Sequence, residues 1–326
     1  MQIEDRMQAH SPFTNIVIAT SLAEHSQNLY FRLGRDLIMI LRDFLPAPEL
    51  REFVQCYRIV HFEFDETSEV PVKAYPPKPE VCLHFILRGN IETESADRIT
   101  KESLFPITLA GQQTTIIYRY NSSSLLNLQI VFQPTAVFRL TGMSAFEFTN
   151  KRFDAEYFFP NIRFVLEELQ EAKNYSELLS IANKFATSIV SHARKETHQL
   201  DAAANSMIKR SGNISLDWLA KESCFCPKQF ERKFYERVGV NPKTYARLIR
   251  FNKAFNVKNA NPDWDWLRIA IECNYFDYQH LVRDYKSFTG LNPGNFHVLE
   301  SNSPECKLGL DKQLYRDRFR AAGLAL

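Results

Sequence analysis

The spacing of apolar positions divides the chain into a strand-rich half and a helix-rich half. Between residues 50 and 160, short runs rich in Val, Ile, Tyr and Phe are separated by Pro and Gly, which is typical of β-strands joined by turns. The runs are Phe53–Phe64, Glu80–Leu87, Pro106–Ala110, Thr114–Tyr120 and Leu125–Phe132. Several such strands predict a sandwich or an open barrel. Residues 134–148 carry apolar positions at helical spacing and predict a helix.

Helical spacing dominates the rest of the chain. Residues 161–198 predict two amphipathic helices, whose apolar faces either cap the β-rich region or pair with a second copy. Residues 201–299 predict a further series of helices. The two ends of the chain are less regular. Residues 1–40 show no sustained period and predict a poorly organised extension, and residues 301–326 form a mildly amphipathic, basic tail.

An approximate repeat runs through the helical half. Each copy has apolar residues at helical spacing, a short turn, and a second helix that ends in a Gly-x-Asn-Pro sequence. Before the turn the copies are offset by fifty residues: Leu216, Leu219, Ala220 and Phe225 match Trp266, Ile269, Ala270 and Tyr275. After it the offset is fifty-one: Phe230, Arg232, Phe234, Gly239, Asn241 and Pro242 match Leu281, Arg283, Tyr285, Gly290, Asn292 and Pro293. The extra residue falls in the turn, where insertions are tolerated.

Local signals predict that each copy folds as helix, tight turn, helix. Pro227 suits the first position of a helix and Gly239 ends that helix. In the second copy, Asn274 can adopt the left-handed turn conformation and Asp277 is a good N-cap. Phe230, Phe234, Leu281 and Tyr285 are predicted core residues. This unit is the helix-turn-helix, whose second helix enters the major groove of DNA.

A single helix from Pro242 to about residue 258 is predicted between the two copies, because this stretch contains no internal Pro or Gly. It would span roughly 25 Å at ~1.5 Å per residue. Adjacent major grooves on one face of DNA lie about 34 Å apart. One monomer can therefore contact two grooves, directly or with DNA bending.

Composition removes several classes of protein. The 326 residues are 45% apolar and carry a formal net charge of +2, which excludes a disordered chain. Six Cys are too few for a disulfide scaffold. Glycine is scarce, with ten residues in the chain, which argues against Gly-rich phosphate loops. Neither a membrane-spanning run nor a signal peptide is evident, so we expect a cytoplasmic protein without a membrane partner. The charge is uneven: −4 over residues 1–200, +4 over 201–300 and +2 over 301–326.

The helical half resembles the DNA-binding domain of the AraC/XylS family of transcription regulators. The resemblance covers residues 212–298 and rests on LDWLAKES at 216–223, FCPKQFERKF at 225–234, GVNPKTYARLIRFNKA at 239–254 and YFDYQHLVRDYKSFTGLNP at 275–293. The turn glycines that are common in the family are Cys224 and Asn274 here, and Cys226 replaces the usual serine. The second recognition helix carries Val282 and Asp284 at positions that vary in the family. These departures concern the DNA target rather than the fold.

The resemblance implies which side chains meet DNA. Base-contact candidates lie on the two recognition helices: Lys228, Glu231, Arg232, Tyr278, Gln279, Val282 and Arg283. Arg pairs with guanine and Gln with adenine, whereas Glu231 either accepts from cytosine or orients Arg232. Val282 packs on a thymine methyl or in the core. Phosphate-contact candidates are Lys233, Lys243, Lys286 and Arg250, although Arg250 could equally brace the two units. His280 is expected to be structural.

The β-rich half is similar to a cupin-like sensor domain, through residues 45–64, 78–90 and 130–150. The expected fold class is therefore α+β, with an N-terminal β-rich cupin-like domain followed by an all-α double helix-turn-helix domain. The expected divisions are an extension at 1–40, a sensor domain at 41–160, a linker or dimerisation segment at 161–200, a DNA-binding domain at 201–300 and a tail at 301–326.

Metal chemistry is not expected. Cys224 and Cys226 are one residue apart, whereas structural zinc pairs usually have two to four residues between them. His61 and His84 fall on different predicted strands and lack the close pair of ligands that a metal-dependent cupin shows. We therefore expect no metal, no cofactor and no catalytic residue.

The sequence thus predicts a sequence-specific DNA-binding regulator, not an enzyme, controlled by a small molecule or by dimerisation through the N-terminal domain. Its expected partners are double-stranded promoter DNA, a small-molecule effector, a second copy of the chain and, for an activator, RNA polymerase. Two alternatives remain. The first is a regulator whose N-terminal half only dimerises, and the second is a metal-cupin or alkyl-repair enzyme fused to a DNA-binding module. A closed, largely apolar cavity in the β domain is the feature expected of a sensor, and a filled interior is expected of the dimer-only form.

Overall fold

The computed structural model describes residues 32–33, 37–64, 70–97, 99–303 and 306. Of the predicted N-terminal extension, residues 1–31 and 34–36 lie outside the described residues. Of the predicted basic tail, only residues 301–303 and 306 are described.

Two antiparallel sheets form the N-terminal half. The strands are β1 (Arg32–Leu33), β2 (Leu37–Phe44), β3 (Val54–Glu63), β4 (Lys73–Tyr75), β5 (Val81–Arg88), β6 (Ile91–Glu94), β7 (Lys101–Ser103), β8 (Ile107–Ala110), β9 (Ile117–Asn121), β10 (Ser124–Phe132) and β11 (Arg152–Asp154). One sheet has seven strands in the order β1-β2-β3-β10-β5-β8-β11, and the other has four in the order β4-β9-β6-β7. The architecture is α+β, with this β-rich half followed by helices, as predicted.

Each of the five predicted strands overlaps an observed one, to within one residue at its ends or with extra residues at the start. Two other sequence-based predictions are wrong. Residues 37–40 belong to β2, which pairs along β3 from Ile38 to Phe44, so the end of the supposed extension is part of a sheet. The single helix expected over residues 134–148 is two pieces. Helix α1 (Ala136–Thr141) stops because Gly142 adopts the left-handed conformation at φ 72°, and a 3-10 turn follows at Ala145–Phe148.

Two helices cover one face of the seven-stranded sheet: α2 (Ile162–Glu171) and α3 (Tyr175–Ser191). Their apolar residues, among them Leu166 and Phe185, share one core with Leu128 and Ile130 of β10. The apolar faces of these helices therefore cap the β domain, which is the first of the two alternatives. Because side chains alternate along a strand, the residue between them, Gln129, lines the opposite face of the sheet.

The C-terminal half consists of helices around two small cores. The helices are α4 (Gln199–Lys209), α5 (Leu216–Glu222), α6 (Pro227–Val238), α7 (Pro242–Ala260), α8 (Trp266–Glu272), α9 (Tyr278–Thr289) and α10 (Pro293–Glu300). All four predicted core residues are buried, namely Phe230, Phe234, Leu281 and Tyr285. The nineteen residues of α7 form one helix of roughly 28 Å, at ~1.5 Å per residue, which connects the two cores.

The ends of these helices follow the local signals. Gly239 ends α6 with φ 91°, and Asn274 takes φ 57° in the second turn, as expected. Cys224 adopts φ 56° in the first turn. The Asp277 carboxylate accepts a hydrogen bond from the backbone N–H of His280 at 2.6 Å and caps α9. The two helix-turn-helix units therefore share their geometry although their turns lack glycine.

Both units are docked on the N-terminal half. At the first, the Thr149 hydroxyl donates to the carbonyl of Gly239 at 2.8 Å, and the rings of Phe146 and Tyr235 stack at 5.2 Å. At the second, the backbone N–H of Ile116, just before β9, donates to the carbonyl of Phe288 at 2.9 Å. Ala74 and Ile116 also lie in the apolar core of the second unit. Both helix-turn-helix units are thus in direct contact with the β domain.

Candidate nucleic-acid interface and N-terminal cavity

Helix α6 presents three of the predicted base-contact residues on one exposed face. Lys228, Glu231 and Arg232 are all exposed, and their spacing of three and four places them on adjacent turns of the helix. The opposite face carries Phe230 and Phe234 into the first core. Pro227 starts the helix, and the Gln229 side chain accepts from the backbone N–H of Cys226 at 3.4 Å. The core therefore fixes the rotation of α6 that leaves these charges in solvent.

Helix α9 repeats this arrangement, with two exposed base-contact candidates instead of three. Gln279, Arg283 and Lys286 are exposed on one face. Tyr278 and Val282 are half-buried, and Tyr278 packs against the second core. Leu281 and Tyr285 anchor the inner face of the helix. Among the predicted base-contact residues of α9, Gln279 and Arg283 are therefore the exposed ones.

The predicted phosphate-contact residues fall into two groups. Lys243, at the start of α7, and Lys286 are exposed. Lys233 is half-buried, with its ammonium 5.6 Å from the centre of the Phe225 ring, where a cation is attracted to the aromatic face.

Arg250 is half-buried, and its guanidinium is held by contacts within the protein. It donates to the carbonyl of Gly212 at 3.1 Å and lies 5.8 Å from the Tyr275 ring centre. Gly212 precedes the first unit and Tyr275 belongs to the second. These contacts support the bracing role for Arg250 over a phosphate contact.

Asp284, which the sequence placed at a variable position of the second recognition helix, faces inward. Its carboxylate is 1% exposed and lies 2.8 Å from Nε of Arg247 on α7. This ion pair ties the second recognition helix to the connecting helix. The sequence gives no signal for it, because Arg247 and Asp284 are 37 residues apart.

A cavity of about 320 Å³ lies between the two sheets of the N-terminal half. It is not the closed, largely apolar cavity expected of the sensor, because it is open at one side and charged side chains line it. The cations are Lys78, Arg119, Lys151 and Arg152, and the carboxylates are Glu80 and Glu102. The physical reason is the alternation along the strands: apolar residues of the seven-stranded sheet face the helices, and polar ones face the cavity.

None of these six charged cavity residues was singled out from the sequence. Arg119 lies in a run that was predicted as a strand, but which face of the strand it occupies depends on how β9 pairs. Lys78 and Arg152 come from the β4–β5 loop and from β11, a strand that the sequence did not predict. Their proximity is a product of the sheet pairing alone.

The two histidines considered for metal binding have other partners. His61 lies 2.6 Å from the Tyr175 hydroxyl, and His84 lies 3.3 Å from the Asn127 amide. Burial lowers the pKa of both. Cys224 and Cys226 are exposed free thiols. Within the described part of the chain, no group of three or more His, Cys, Asp or Glu residues could hold a metal ion, and no helix there is long and apolar enough to cross a membrane.

Two family models match the chain. Residues 219–297 match a helix-turn-helix domain, and residues 42–154 match a domain of unknown function (DUF6597). The first covers both recognition helices and the second covers most of the β domain. Fold and exposed basic helices define a DNA-binding transcription regulator. Residues 219–297 carry the AraC-type helix-turn-helix domain that the sequence predicted.

Several solved structures show a distant likeness to the chain. A crystal structure of ToxT from Vibrio cholerae matches with 11% sequence identity and a TM-score of 0.41, covering 77% of this chain and 99% of that one. ToxT with a bound unsaturated fatty acid matches with 12% identity and a TM-score of 0.42, over 74% and 95% of the two chains. The AraC-like activator CuxR matches with 13% identity and a TM-score of 0.20, over 85% and 86%. No curated protein matches the chain.

Proposed function

We propose that this regulator reads promoter DNA with α6 and α9, and that a small molecule in the N-terminal cavity controls how the two helices meet DNA. The observation that supports this control is the wall shared by the cavity and the second helix-turn-helix unit. Strands β4 and β9 form that wall. Tyr75, Ile117 and Arg119 line the cavity, whereas Ala74 and Ile116 contribute to the core of the second unit.

Side chains of β4 and β9 alternate between the cavity and the second helix-turn-helix unit, so these strands connect the two directly. Consecutive residues of a strand point to opposite faces, so a ligand that moves Ile117 or Arg119 also moves the residues between and beside them. Tyr118 packs against the second core, and the backbone of Ile116 is bonded to α9 at Phe288. In this proposal the second unit can take two arrangements relative to the β domain, and each goes with its own cavity shape. A ligand that binds one cavity shape more tightly shifts the population toward the corresponding arrangement.

DNA reading is assigned to the exposed polar ends on the two recognition helices. Arg232 and Arg283 occupy equivalent positions, fifty-one residues apart, and each can donate two hydrogen bonds to a guanine. Lys228, Glu231 and Gln279 flank them, with Tyr278 and Val282 at the edge of the core. Lys243 and Lys286 are assigned to phosphates, which position the protein without reading sequence.

The test is binding of the full chain to a cognate site, identified by selection from random DNA and measured by fluorescence anisotropy. Arg232→Ala and Arg283→Ala should each weaken specific binding by about 1–3 kcal/mol, roughly 5- to 150-fold, and relax sequence preference in one half-site. Lys243→Ala should weaken binding to all sequences alike and make its salt dependence shallower.

Arg163→Ala is the matched control, because Arg163 is an exposed arginine of α2 outside the proposed interface. It should bind like the parent protein. If Arg232→Ala and Arg283→Ala also bind the cognate site like the parent, the assignment of the base contacts is wrong.

A further inference from the structure

The N-terminal cavity carries more positive than negative charge. Four cations line it against two carboxylates. Of the carboxylates, Glu80 is already held by both terminal nitrogens of the Arg58 guanidinium, at 2.8 and 3.1 Å. Glu80 thus also serves a cation outside the lining, so the two carboxylates do not balance the four cations of the cavity.

Arg119 is the cation that most clearly lacks a counter-charge. No carboxylate of the described residues lies within ion-pair distance of it, and its buried Nε has no hydrogen-bond partner. Its guanidinium carbon lies 4.9 Å from the centre of the Tyr75 ring, which also lines the cavity. Burial lowers the pKa of Arg119, but a guanidinium does not lose its proton in proteins. The residue as a whole is half-buried. A charge that is partly removed from water without a counter-charge is costly, and such groups are usually compensated by a partner.

Neighbouring groups respond to the same positive potential. Burial on its own would raise the pKa of Tyr75, yet Lys78, Arg119 and Arg58 lower it below the usual value for a phenol. The Lys78 ammonium also donates to the Tyr75 hydroxyl at 3.2 Å. Burial first, and then Arg119 and the Arg152 guanidinium, lower the pKa of His84, which keeps that ring neutral at pH 7.

We propose that the cavity binds a small polar organic anion, a carboxylate or phosphate compound, with its charged group at Arg119 and Arg152. This proposal rests on the proposed role of the cavity as the control site. The planar fork of an arginine matches carboxylate and phosphate oxygens. The remaining lining supplies hydroxyl and amide groups for a polar body, from Thr93, Thr115, Gln113 and Gln129.

Size and charge restrict the ligand further. A cavity of about 320 Å³ lies at the small end of ligand sites, which suits a hexose phosphate or a tricarboxylic acid. A neutral ligand would leave the cations uncompensated. Polar and charged side chains outnumber the apolar ones of the lining, which are Cys82, Leu104, Ala110 and Ile117. A compact polar ligand therefore suits the cavity better than a long acyl chain.

The test uses the full chain and three anionic probes: inorganic phosphate, citrate and glucose 6-phosphate. Glucose is the neutral match to the last of these, and ionic strength is held constant. Melting temperature and isothermal titration are measured for the parent and for Arg119→Met, which removes the charge but keeps an unbranched side chain. Arg163→Met, far from the cavity on α2, controls for loss of one positive charge.

At least one anion should raise the melting temperature of the parent and of Arg163→Met in a saturable way, whereas glucose should not. In Arg119→Met the affinity for that anion should fall at least 10-fold. Without anion, Arg119→Met should melt no lower than the parent, because relief of the unpaired charge offsets the lost contact with Tyr75.

Three results would overturn the proposal: no saturable response to any of the three anions, an equal response in Arg119→Met, or stabilisation by glucose as strong as by glucose 6-phosphate. DNA affinity is measured on the same variants. Without anion, Arg163→Met should bind DNA like the parent, and the anion that changes DNA binding by the parent should have no such effect on Arg119→Met. If the parent protein itself shows no specific DNA binding, the proposed function is refuted, whereas the measured binding of the anion to the cavity is unaffected.

Discussion

The docking of the first recognition helix on the β domain can be tested with a pair of glycines that the internal repeat supplies. Gly239 and Gly290 end α6 and α9 at equivalent positions, with φ values of 91° and 75°. At either position an alanine in the left-handed conformation costs about 1–2 kcal/mol of folding stability. The surroundings differ. A Cβ on Gly290 meets nothing within 4 Å, whereas a Cβ on Gly239 would lie 2.7 Å from Oγ1 of Thr149 and 2.9 Å from the carbonyl oxygen of Ala145.

The expected cost of Gly239→Ala follows from what must move. The Ala145 contact is with backbone, so the end of α6 has to shift away from the 3-10 turn at Ala145–Phe148. The shift would break the Thr149–Gly239 hydrogen bond, worth about 1 kcal/mol, and weaken the Phe146–Tyr235 stack, worth about 0.5–1.5 kcal/mol. Gly239→Ala should therefore destabilise the protein by roughly 1–2.5 kcal/mol more than Gly290→Ala.

Two measurements check this difference. Urea unfolding gives the free energy of unfolding for the two variants, and hydrogen exchange reports the turn directly. In Gly239→Ala, peptides covering residues 144–150 should exchange faster than in the parent protein, and in Gly290→Ala they should not. Equal losses of stability, or unchanged exchange over 144–150 in Gly239→Ala, would refute the docked arrangement of the first unit.

Two further predictions concern buried charge. Arg247→Met should destabilise the second unit by about 3–5 kcal/mol, and more than Asp284→Leu, because it leaves a fully buried carboxylate unpaired whereas the Arg247 side chain is 29% exposed. The double variant should cost less than Arg247→Met in urea unfolding followed by tryptophan fluorescence, and additive losses would contradict an ion pair. Burial and the nearby Arg119 and Arg152 lower the pKa of His84, so its neutral form contributes stability above about pH 6.5 that is lost as pH falls, at ~1.4 kcal/mol per pH unit. His84→Gln should flatten this slope between pH 6.5 and 5.5, and an unchanged slope would assign it to other groups.

The helix-turn-helix half is the part of this protein that the sequence largely determined by itself. Pro227 begins α6 and Gly239 ends it, Asp277 caps α9, and Asn274 makes the turn before it. These features depend on contacts within a few residues, so local rules reach them. The repeat then fixed which apolar residues fill each core, because two copies of one pattern must bury the same faces.

The cavity and the docking contacts were decided by the tertiary structure. Arg119, Arg152 and Lys78 come together only because β9, β11 and the β4–β5 loop are brought together by pairing between distant strands. A shift of one residue in the pairing of β9 would turn Arg119 to the other face. The same holds for Ile116, whose contact with α9 joins residues more than 170 positions apart. Local sequence records the propensity of each segment, but the charge of a cavity depends on which segments surround it, and that is set by the whole fold.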